Sequence, residues 1–299
     1  MVRAPVRTDD STRPMTLTDT RQVAHAIDPA SLAALPRTPG VYLFMGEGAL
    51  PVYIGKSVDI RSRVLAHLRA EDEATMMAQS RRVEFIETAG EVGALLLEAQ
   101  LIKQKNPLFN IRLRRQRSLC SIRLAEQDGF ITPEVVSGKH VAVGQADDLY
   151  GLFSSVHAAR TKLRELSDLH GLCLGLLGIE KMGQRGCFGL QVKSCLGACV
   201  GREDRRVHDQ RLFSALADLK VHAWPYTGAV DLVEQRDDWI QRHRIQDWRY
   251  QGTWCSRTSK FSPHGTQGFD LDTYKILVKP ILMGSIRIEP MGEVTHEAV

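Results

Sequence analysis

The stretch that decides the fold reads GVYLFMGEGALPVYIGKS and covers residues 40–57. It contains two short β-type runs, at 41–45 and 51–54, joined by the glycine-rich segment Gly46-Glu47-Gly48. Two such runs on either side of a glycine-containing connection are typical of a β-hairpin. The stretch therefore predicts two antiparallel strands.

The residues that follow extend this hairpin into a mixed α/β unit. Ser57 is suited to cap a helix that runs to about residue 69. A third strand is predicted at 82–88, and a second helix at about 91–104 ends before Pro107. A short helix near 31–35 precedes the hairpin. Together these elements predict a compact unit of about 80 residues, within the usual size of a domain.

Glu98 is the most informative residue of the predicted helix at 91–104. On a helical wheel it projects from the middle of the apolar arc, while Leu96 and Leu97 fall on the polar side. This pattern predicts a helix buried on nearly all sides. A carboxylate facing a core is costly unless a cation, a metal ion or several hydrogen bonds accompany it. The alternative to a functional acid is a buried structural ion pair.

Candidate cations lie before and on the first predicted helix. Asp59, Arg63 and His67 share one helix face, so Arg63 points either to Asp59 at the surface or into the cleft of the buried acid. Tyr53 and Lys56 stand where a strand turns toward a helix N-terminus, whose backbone amides favour an anion. A carboxylate, two cations and one or two tyrosines are suited to metal-assisted phosphodiester hydrolysis.

These motifs resemble the GIY-YIG nuclease family, with GVY in place of GIY, and more narrowly the N-terminal nuclease of the bacterial excinuclease subunit UvrC. The resemblance implies a three-stranded antiparallel sheet with flanking helices and one Mg²⁺ or Mn²⁺ ion held by Glu98. The residues that carry it are Gly40-Val41-Tyr42, Tyr53-Ile54-Gly55-Lys56-Ser57, Ile60-Arg61-Ser62-Arg63-Val64, Leu97-Glu98-Ala99-Gln100-Leu101-Ile102 and Asn106-Pro107-Leu108-Phe109-Asn110.

The resemblance also implies roles for the site residues. Tyr42 and Tyr53 match the paired tyrosines that position or activate the attacking water, and Asn110 matches the asparagine that closes the site. Lys56 and Arg63 match the cations beside the scissile phosphate. Which tyrosine is the base stays open, because a phenol with an ordinary pKa of about 10 needs help from the metal or a neighbouring cation.

His67 departs from the pattern of the family. Many UvrC proteins have another tyrosine at the corresponding position. We expect His67 to be a solvated surface histidine.

Four cysteines follow the predicted nuclease, and no CxxC pair is among them. Clustered thiols in a cytoplasmic protein suggest a soft metal, and the alternative is four small buried residues. The surrounding sequence resembles the cysteine-bearing region of UvrC, where some members carry a [4Fe–4S] cluster. An iron–sulfur cluster and a Zn²⁺ ion are therefore both options for Cys173, Cys187, Cys195 and Cys199.

The basic residues of the chain are concentrated in one segment. Lys and Arg exceed Asp and Glu by 13 to 9 in residues 34–117, against 4 to 4 before it and 22 to 22 after it. The stretch 103–117 has no acid, so it is either a DNA-binding tract or a solvated basic tail. The expected DNA-binding residues are Lys103, Lys105, Arg112, Arg114 and Arg115.

The pattern divides the chain into four regions. They are a flexible leader (1–33), the nuclease domain (34–117), a Cys-rich helical region (118–223) with helices at 156–169 and 203–219, and a β-rich C-terminal region (224–299) that includes the aromatic residues up to 282. The fold class is α+β.

The overall arrangement is similar to that of short UvrC homologues, the Cho excinucleases. This similarity implies a single 3′-side incision near a lesion in damaged double-stranded DNA, made on a UvrB–DNA complex loaded by UvrA.

Composition and the motifs exclude other classes. A 43% hydrophobic chain of 299 residues can bury a core, which argues against disorder. No apolar run approaches a membrane span, and the first 28 residues lack a signal peptide, so we expect a cytoplasmic protein without membrane contact. Two alternatives stay open: a mobile-element or restriction nuclease, and a DNA-binding scaffold without activity.

Overall fold

The computed structural model describes residues 25–111, 119–127, 130–137, 148–183, 185–264 and 268–291. Within these ranges the chain forms three antiparallel sheets with helices packed against them. The predicted α+β class is confirmed. Most of the predicted leader lies outside the described residues, and its short helix, α1, spans Pro29–Ala33.

The predicted hairpin and third strand are confirmed. The first sheet has the order β2-β1-β3, and a single-turn 3₁₀ helix, Glu71–Glu73, precedes α3. The elements are β1 (Gly40–Met45), β2 (Pro51–Ser57), α2 (Ile60–His67), α3 (Ala74–Gln79), β3 (Arg82–Glu87) and α4 (Glu91–Lys105).

Ser57 does not cap α2, which corrects the prediction. Ser57 is the last residue of β2, and the Asp59 carboxylate caps the helix by accepting the backbone N–H of Ser62 at 2.8 Å. The hydroxyl of Ser57 accepts the N–H of Asp59 at 3.0 Å, so serine and aspartate share the turn. Both residue types are good caps, and which one is used depends on where the strand ends.

Helix α4 is buried on two sides. Leu101 and Ile102 pack against the first sheet, whereas Val92 and Leu96 belong to the hydrophobic core of the C-terminal region. The helix ends at Asn106, whose φ of 48° takes the chain out of the helix before Pro107. The nearly all-round burial predicted from Leu96 therefore has a specific cause, which is a second core on the far side of the helix.

The region after the nuclease is less helical than predicted. It opens with a second sheet, in the order β5-β4-β6, against which two helices pack through Ile122, Leu163 and Leu212. The predicted helices at 156–169 and 203–219 are present as α5 and α7. The elements are β4 (Cys120–Gln127), β5 (Phe130–Ser137), β6 (Leu149–Phe153), α5 (Val156–His170), α6 (Phe188–Gln191) and α7 (Arg205–Leu216).

The C-terminal region is a five-stranded sheet with one helix on it. The strand order is β10-β9-β8-β7-β11. Residues 274–282, predicted with the β-rich part, belong to helix α8, because Asp270 caps it and Tyr274, Leu277 and Ile281 bury one face. The elements are β7 (Val230–Arg236), β8 (Trp239–Gln246), β9 (Arg249–Cys255), β10 (Lys260–Pro263), α8 (Leu271–Leu282) and β11 (Arg287–Pro290).

Among the described residues, no helix has both the length and the apolar character needed to cross a membrane.

Candidate active site and cysteine centre

The first hairpin brings two tyrosines together. Tyr42 of β1 pairs in register with Gly55 of β2, and Tyr53 lies on the same face of β2 two residues earlier. The two phenol rings are 6.3 Å apart between centroids. A Cβ atom on residue 55 would lie 2.3 Å from the Tyr42 hydroxyl, so only glycine leaves room for that ring.

His67 lies inside the site and not at the surface, which corrects the prediction. It is 2% exposed, because Ile60, Val64 and His67 form the buried face of α2. Its Nε2 is 2.6 Å from the hydroxyl of Tyr42, and its Nδ1 pairs with the carboxylate of Glu73. The Glu73 carboxylate accepts a hydrogen bond from Nδ1–H, which keeps the ring proton on Nδ1 and leaves Nε2 free to accept the phenol proton.

The electrostatics of the site keep the phenols neutral. Burial and then the neighbouring Tyr53 raise the pKa of Tyr42, against the effect of the Arg63 guanidinium. Burial and then the Glu98 carboxylate raise the pKa of Tyr53. Burial also lowers the pKa of His67, against its hydrogen bond to Glu73. At neutral pH the imidazole is therefore an acceptor for the Tyr42 proton.

Arg63 points toward the tyrosine site and not toward Asp59. This was one of the two predicted alternatives. Its guanidinium lies beside Tyr42, and this neighbour raises the pKa of Arg63 further. Asp59, the competing partner, instead caps α2 and lies 3.5 Å from Arg37. The cation is exposed at the rim of the tyrosine pair.

Glu98 is held without a cation of its own. Its Oε1 accepts the backbone N–H of Lys56 at 3.1 Å, whereas Lys56 Nζ lies 2.5 Å from Glu91. None of the described cations forms an ion pair with Glu98. Burial raises the pKa of Glu98 to about 7, although the N–H and the charge of Lys56 act in the opposite direction. The structure therefore does not contain the buried ion pair that was the alternative.

A divalent cation fits the carboxylate of Glu98. Hard oxygen ligands are those that Mg²⁺ and Mn²⁺ prefer, and a bound cation would supply the positive charge that this half-buried group lacks. Half-buried Lys56 and exposed Arg63 leave the adjoining space suited to a phosphate group.

Asn110 connects the end of the nuclease segment to β2. Its Oδ1 accepts the N–H of Ile54 at 2.9 Å, and its Nδ2 donates to the carbonyl of Ile54 at 2.8 Å. The N–H of Phe109 also donates to the carbonyl of Val52 at 3.0 Å. These bonds fasten the segment after α4 to the strand that carries Tyr53.

The C-terminal sheet caps the helix that carries Glu98. The Glu234 carboxylate of β7 accepts the N–H groups of Val92 and Gly93, at 2.8 and 2.7 Å. His243 of β8 lies 3.1 Å from the same carboxylate and is 2% exposed in its side chain. The residue before α4 is Gly90, which has no side chain to cap it. The cap therefore comes from 142 residues further along the chain.

The far end of α4 is also held by the C-terminal region. Lys103 Nζ lies 2.5 Å from Asp270 and 3.2 Å from Asp272, at the start of α8. The Lys103 ammonium is therefore already paired within the protein, and its contact with DNA stays a prediction. Lys105 is half-buried, and the expected DNA contacts of Arg112, Arg114 and Arg115 lie outside the described residues.

The four clustered cysteines meet at one point, as a metal centre requires. The sulfur atoms of Cys173, Cys187, Cys195 and Cys199 all lie within 4.8 Å of one another, and the first three side chains are buried. Four convergent thiols fit either a Zn²⁺ ion or an iron–sulfur cluster. The alternative of four unrelated buried residues does not account for this convergence.

Hydrogen bonds around the cysteines favour one thiolate. Burial raises the pKa of Cys173 and, to about 11, that of Cys195. Burial also acts on Cys199, but hydrogen bonds from the backbone of Cys187 and from the other thiols outweigh it and lower its pKa. The N–H of Cys173 donates to Nε2 of buried His208 at 3.1 Å, which fixes the loop.

Three features of this architecture were missed in the sequence: the burial of His67 and the contacts that Glu73 and Glu234 make. The i, i+7 spacing from Ile60 to His67 could have indicated burial of the histidine. The partners Glu73 and Glu234 carry no local signal, because each is defined only by its contact with another element.

Three family models match consecutive parts of the chain. The UvrC-like GIY-YIG domain matches residues 38–111, the UvrC/Cho excinuclease middle domain matches residues 119–218, and the Excinuclease Cho C-terminal domain matches residues 229–295.

The similar proteins are excinucleases. Excinuclease cho of Shigella flexneri is 49% identical over 257 residues, which cover 85% of this chain and 86% of the relative. The Excinuclease cho of Salmonella typhimurium is 48% identical, and the match covers 86% of this chain and 87% of the relative. The UvrABC system protein C of Maricaulis maris is 33% identical but covers 62% of this chain and 30% of its own length.

A partial match among solved structures is the GIY-YIG N-terminal endonuclease domain of UvrC from Thermotoga maritima, bound to magnesium. It is 32% identical, with a TM-score of 0.25, and covers 27% of this chain and 92% of that domain.

The Glu234→Ala substitution tests the cap of α4. Removing the carboxylate leaves two backbone N–H groups and His243 without their acceptor, so we expect the free energy of unfolding at pH 7 to fall by about 1–3 kcal/mol. Urea denaturation measures this change. The control is Gln235→Ala, on the exposed neighbouring position of β7, which should change the free energy by less than about 0.5 kcal/mol.

The loss of stability in Glu234→Ala should depend on pH. Burial disfavours ionisation of Glu234, but hydrogen bonding and the charge of His243 outweigh it and hold its pKa below the ordinary value. A depressed carboxylate pKa stabilises the fold above the unfolded pKa of about 4.3, and this stabilisation is lost as the pH falls below it. The difference between wild type and Glu234→Ala should therefore shrink in acid. An equal difference at pH 4 and pH 7 would contradict the role of the charge.

Proposed function

The chain belongs to the excinuclease Cho family, and from that premise we propose that it cuts damaged duplex DNA once, on the 3′ side of a lesion, after UvrA has loaded UvrB there. Membership makes it a metal-dependent DNA endonuclease of nucleotide excision repair. The proposal adds the side of the cut, the protein partners and the residues that carry the reaction.

The observation that carries the proposal is the setting of Glu98. A half-buried carboxylate with no ion-paired cation among the described residues faces the backbone of Lys56 and the tyrosine pair. Burial of an unpaired acid is unfavourable, so a protein keeps one where a ligand will compensate for it. Glu98 is the proposed ligand of a Mg²⁺ or Mn²⁺ ion.

Three other side chains, Lys56, Arg63 and Asn110, have proposed roles in hydrolysis. The bound cation supplies positive charge for the phosphate during the reaction. Lys56 and Arg63, at the rim, contact phosphate oxygens and stabilise the developing negative charge. Asn110 keeps β2 in register, and so holds Tyr53 against the site.

Tyr42 is the proposed group that receives the proton of the attacking water. Its hydroxyl passes its own proton to Nε2 of His67, 2.6 Å away, and Glu73 holds the imidazole in the tautomer that accepts it. This assigns the base role to the tyrosine that has a proton acceptor behind it. The partner Tyr53 has the role of orienting the water.

The cysteine centre is proposed as a structural metal site. Four sulfur ligands would join the segment after α5 to the start of α7, through a region with little regular structure. A metal that binds only the folded form stabilises it.

Incision of a defined substrate tests the proposed function. An end-labelled duplex with one lesion is incubated with Mg²⁺ and the protein, with and without UvrA and UvrB. We expect one 3′-side cut that requires both proteins and the metal. Glu98→Gln should abolish the cut while leaving DNA affinity and thermal unfolding close to wild type.

Two results would contradict this proposal. A cut at one site in undamaged DNA without UvrA or UvrB would identify a nuclease with its own sequence specificity. Full incision by Glu98→Gln would remove the assigned metal ligand.

Substitution of His67 tests the proton path. His67→Gln should reduce the incision rate by about 10²-fold or more, because the phenol of Tyr42 loses its proton acceptor, without weakening DNA binding. Glu73→Gln should give a smaller loss. The matched control is Glu71→Gln, in the same turn but exposed, which should retain the wild-type rate. Equal rates for Glu71→Gln and Glu73→Gln would show that the carboxylate does not act on the histidine.

The metal at the cysteines can be identified in anaerobically purified protein. An iron–sulfur cluster gives visible absorption that should be lost in Cys187→Ala and retained in Cys255→Ala, whose thiol lies outside the cluster. A colourless protein with one zinc per chain, lost in the same variant, would assign zinc. Protein free of both metals would contradict a metal centre.

A further inference from the structure

We propose that the surface around the cysteine centre is a second DNA-contacting surface, separate from the tyrosine and Glu98 site. This cysteine surface consists of the exposed side chains of residues 181–202, excluding residue 184. The inference goes beyond the incision chemistry and depends only on DNA being the substrate. It does not depend on the side of the cut or on UvrA and UvrB.

The first observation is charge. Residues 181–202 include Lys181, Arg185, Lys193 and Arg202 but no aspartate or glutamate. All four cations are exposed. The region after the nuclease is neutral as a whole, with 22 cations and 22 acids between residues 118 and 299, so this run of 22 residues departs from its surroundings. A cationic surface with no acid of its own is suited to a polyanion.

The acids that flank the run are already engaged elsewhere. Glu180 accepts the backbone N–H of Phe188 at 2.7 Å. Glu203 pairs with Arg211 at 2.5 Å, and Asp204 caps α7 by accepting the N–H of Arg206 at 2.8 Å. Only Glu203 has its charge paired, with Arg211, whereas Glu180 and Asp204 accept backbone N–H groups and keep their charge. Among the described residues, none of these three acids forms an ion pair with the four cations.

Two of the four cations lie close together on the surface. Arg185 and Arg202 line one open pocket of about 520 Å³, together with Val200. Lys193 directly follows the short helix α6 and its Val192 C-cap, with a φ of 62°. A φ in this left-handed region favours glycine, so the presence of a lysine at this position indicates a function for its side chain.

The second observation is a set of exposed apolar side chains. Phe188, Leu196 and Val200 each directly follow a cysteine of the cluster, and their exposures are 62%, 58% and 40%. Each cysteine turns its sulfur atom toward the cluster, and the side chain that follows it is exposed. Grouped exposed apolar side chains mark interaction sites on soluble proteins. Combined with cations, such side chains suit the minor groove of duplex DNA, where proteins insert apolar side chains between base steps while cations contact the backbone.

Binding of an undamaged, fluorescently labelled duplex tests this surface. The full chain carries Glu98→Gln so that the DNA stays intact, and fluorescence anisotropy gives Kd across a range of salt concentrations. Lys193→Gln with Arg202→Gln should raise Kd by about tenfold or more at physiological salt and reduce the salt slope by about 1.8, since each lost phosphate contact contributes about 0.9.

The matched control removes two exposed cations elsewhere, by Arg160→Gln with Arg164→Gln on α5. Its Kd and salt slope should stay close to those of the parent. Phe188→Ala should raise Kd while leaving the slope unchanged, because it removes contact area but no charge. Thermal unfolding and metal content of each variant, compared with the parent, show that the centre is intact.

Three results would overturn the inference. One is an unchanged Kd and slope in Lys193→Gln with Arg202→Gln, and another is an equal loss in the α5 control. The third is DNA binding that is intact while binding to UvrB is lost, which would assign the surface to an acidic protein. Failure of the incision proposal has a different signature, since the cut would lose its dependence on the lesion while Kd is unaffected.

Discussion

The structure depends on how the N-terminus of α4 is completed. The first turn of any helix leaves backbone N–H groups without partners, and Gly90 brings no side chain to accept them. Glu234 does so from the C-terminal sheet, with His243 paired behind it. Glu98, the proposed metal ligand, lies about 9 Å further along the same helix than Val92, at about 1.5 Å per residue. A contact from outside the nuclease segment therefore helps to position it.

Burial, more than net charge, determines the chemistry of the site. Two phenols and a carboxylate share a poorly solvated space, and each has a pKa above its ordinary value because its charged form is disfavoured there. Arg63 is exposed to solvent at the edge, whereas half-buried Lys56 pairs with Glu91. Among the described residues, the carboxylate at the centre therefore has no cation paired with it, and the proposed divalent ion would supply positive charge there and attract a phosphate.

The elements that could be predicted from the sequence are those with local signals. The hairpin followed from a glycine-rich connection between two apolar runs, and the unusual position of Glu98 from helical periodicity. The convergence of the cysteines was suggested by composition but needed the fold to show it. Contacts between distant elements carry no local signal, so the burial of His67 and the pairing of Lys103 with Asp270 were not predicted from the sequence.

The two-sided burial of α4 limits how this nuclease can be rearranged in evolution. Leu101 faces its own sheet, whereas Val92 and Leu96 lie in the core of another region. A gene fusion that transplanted residues 34–117 alone would carry an apolar helix face and an unfinished helix end into its new context. A new C-terminal partner would have to bring both a matching apolar surface and an acid in place of Glu234.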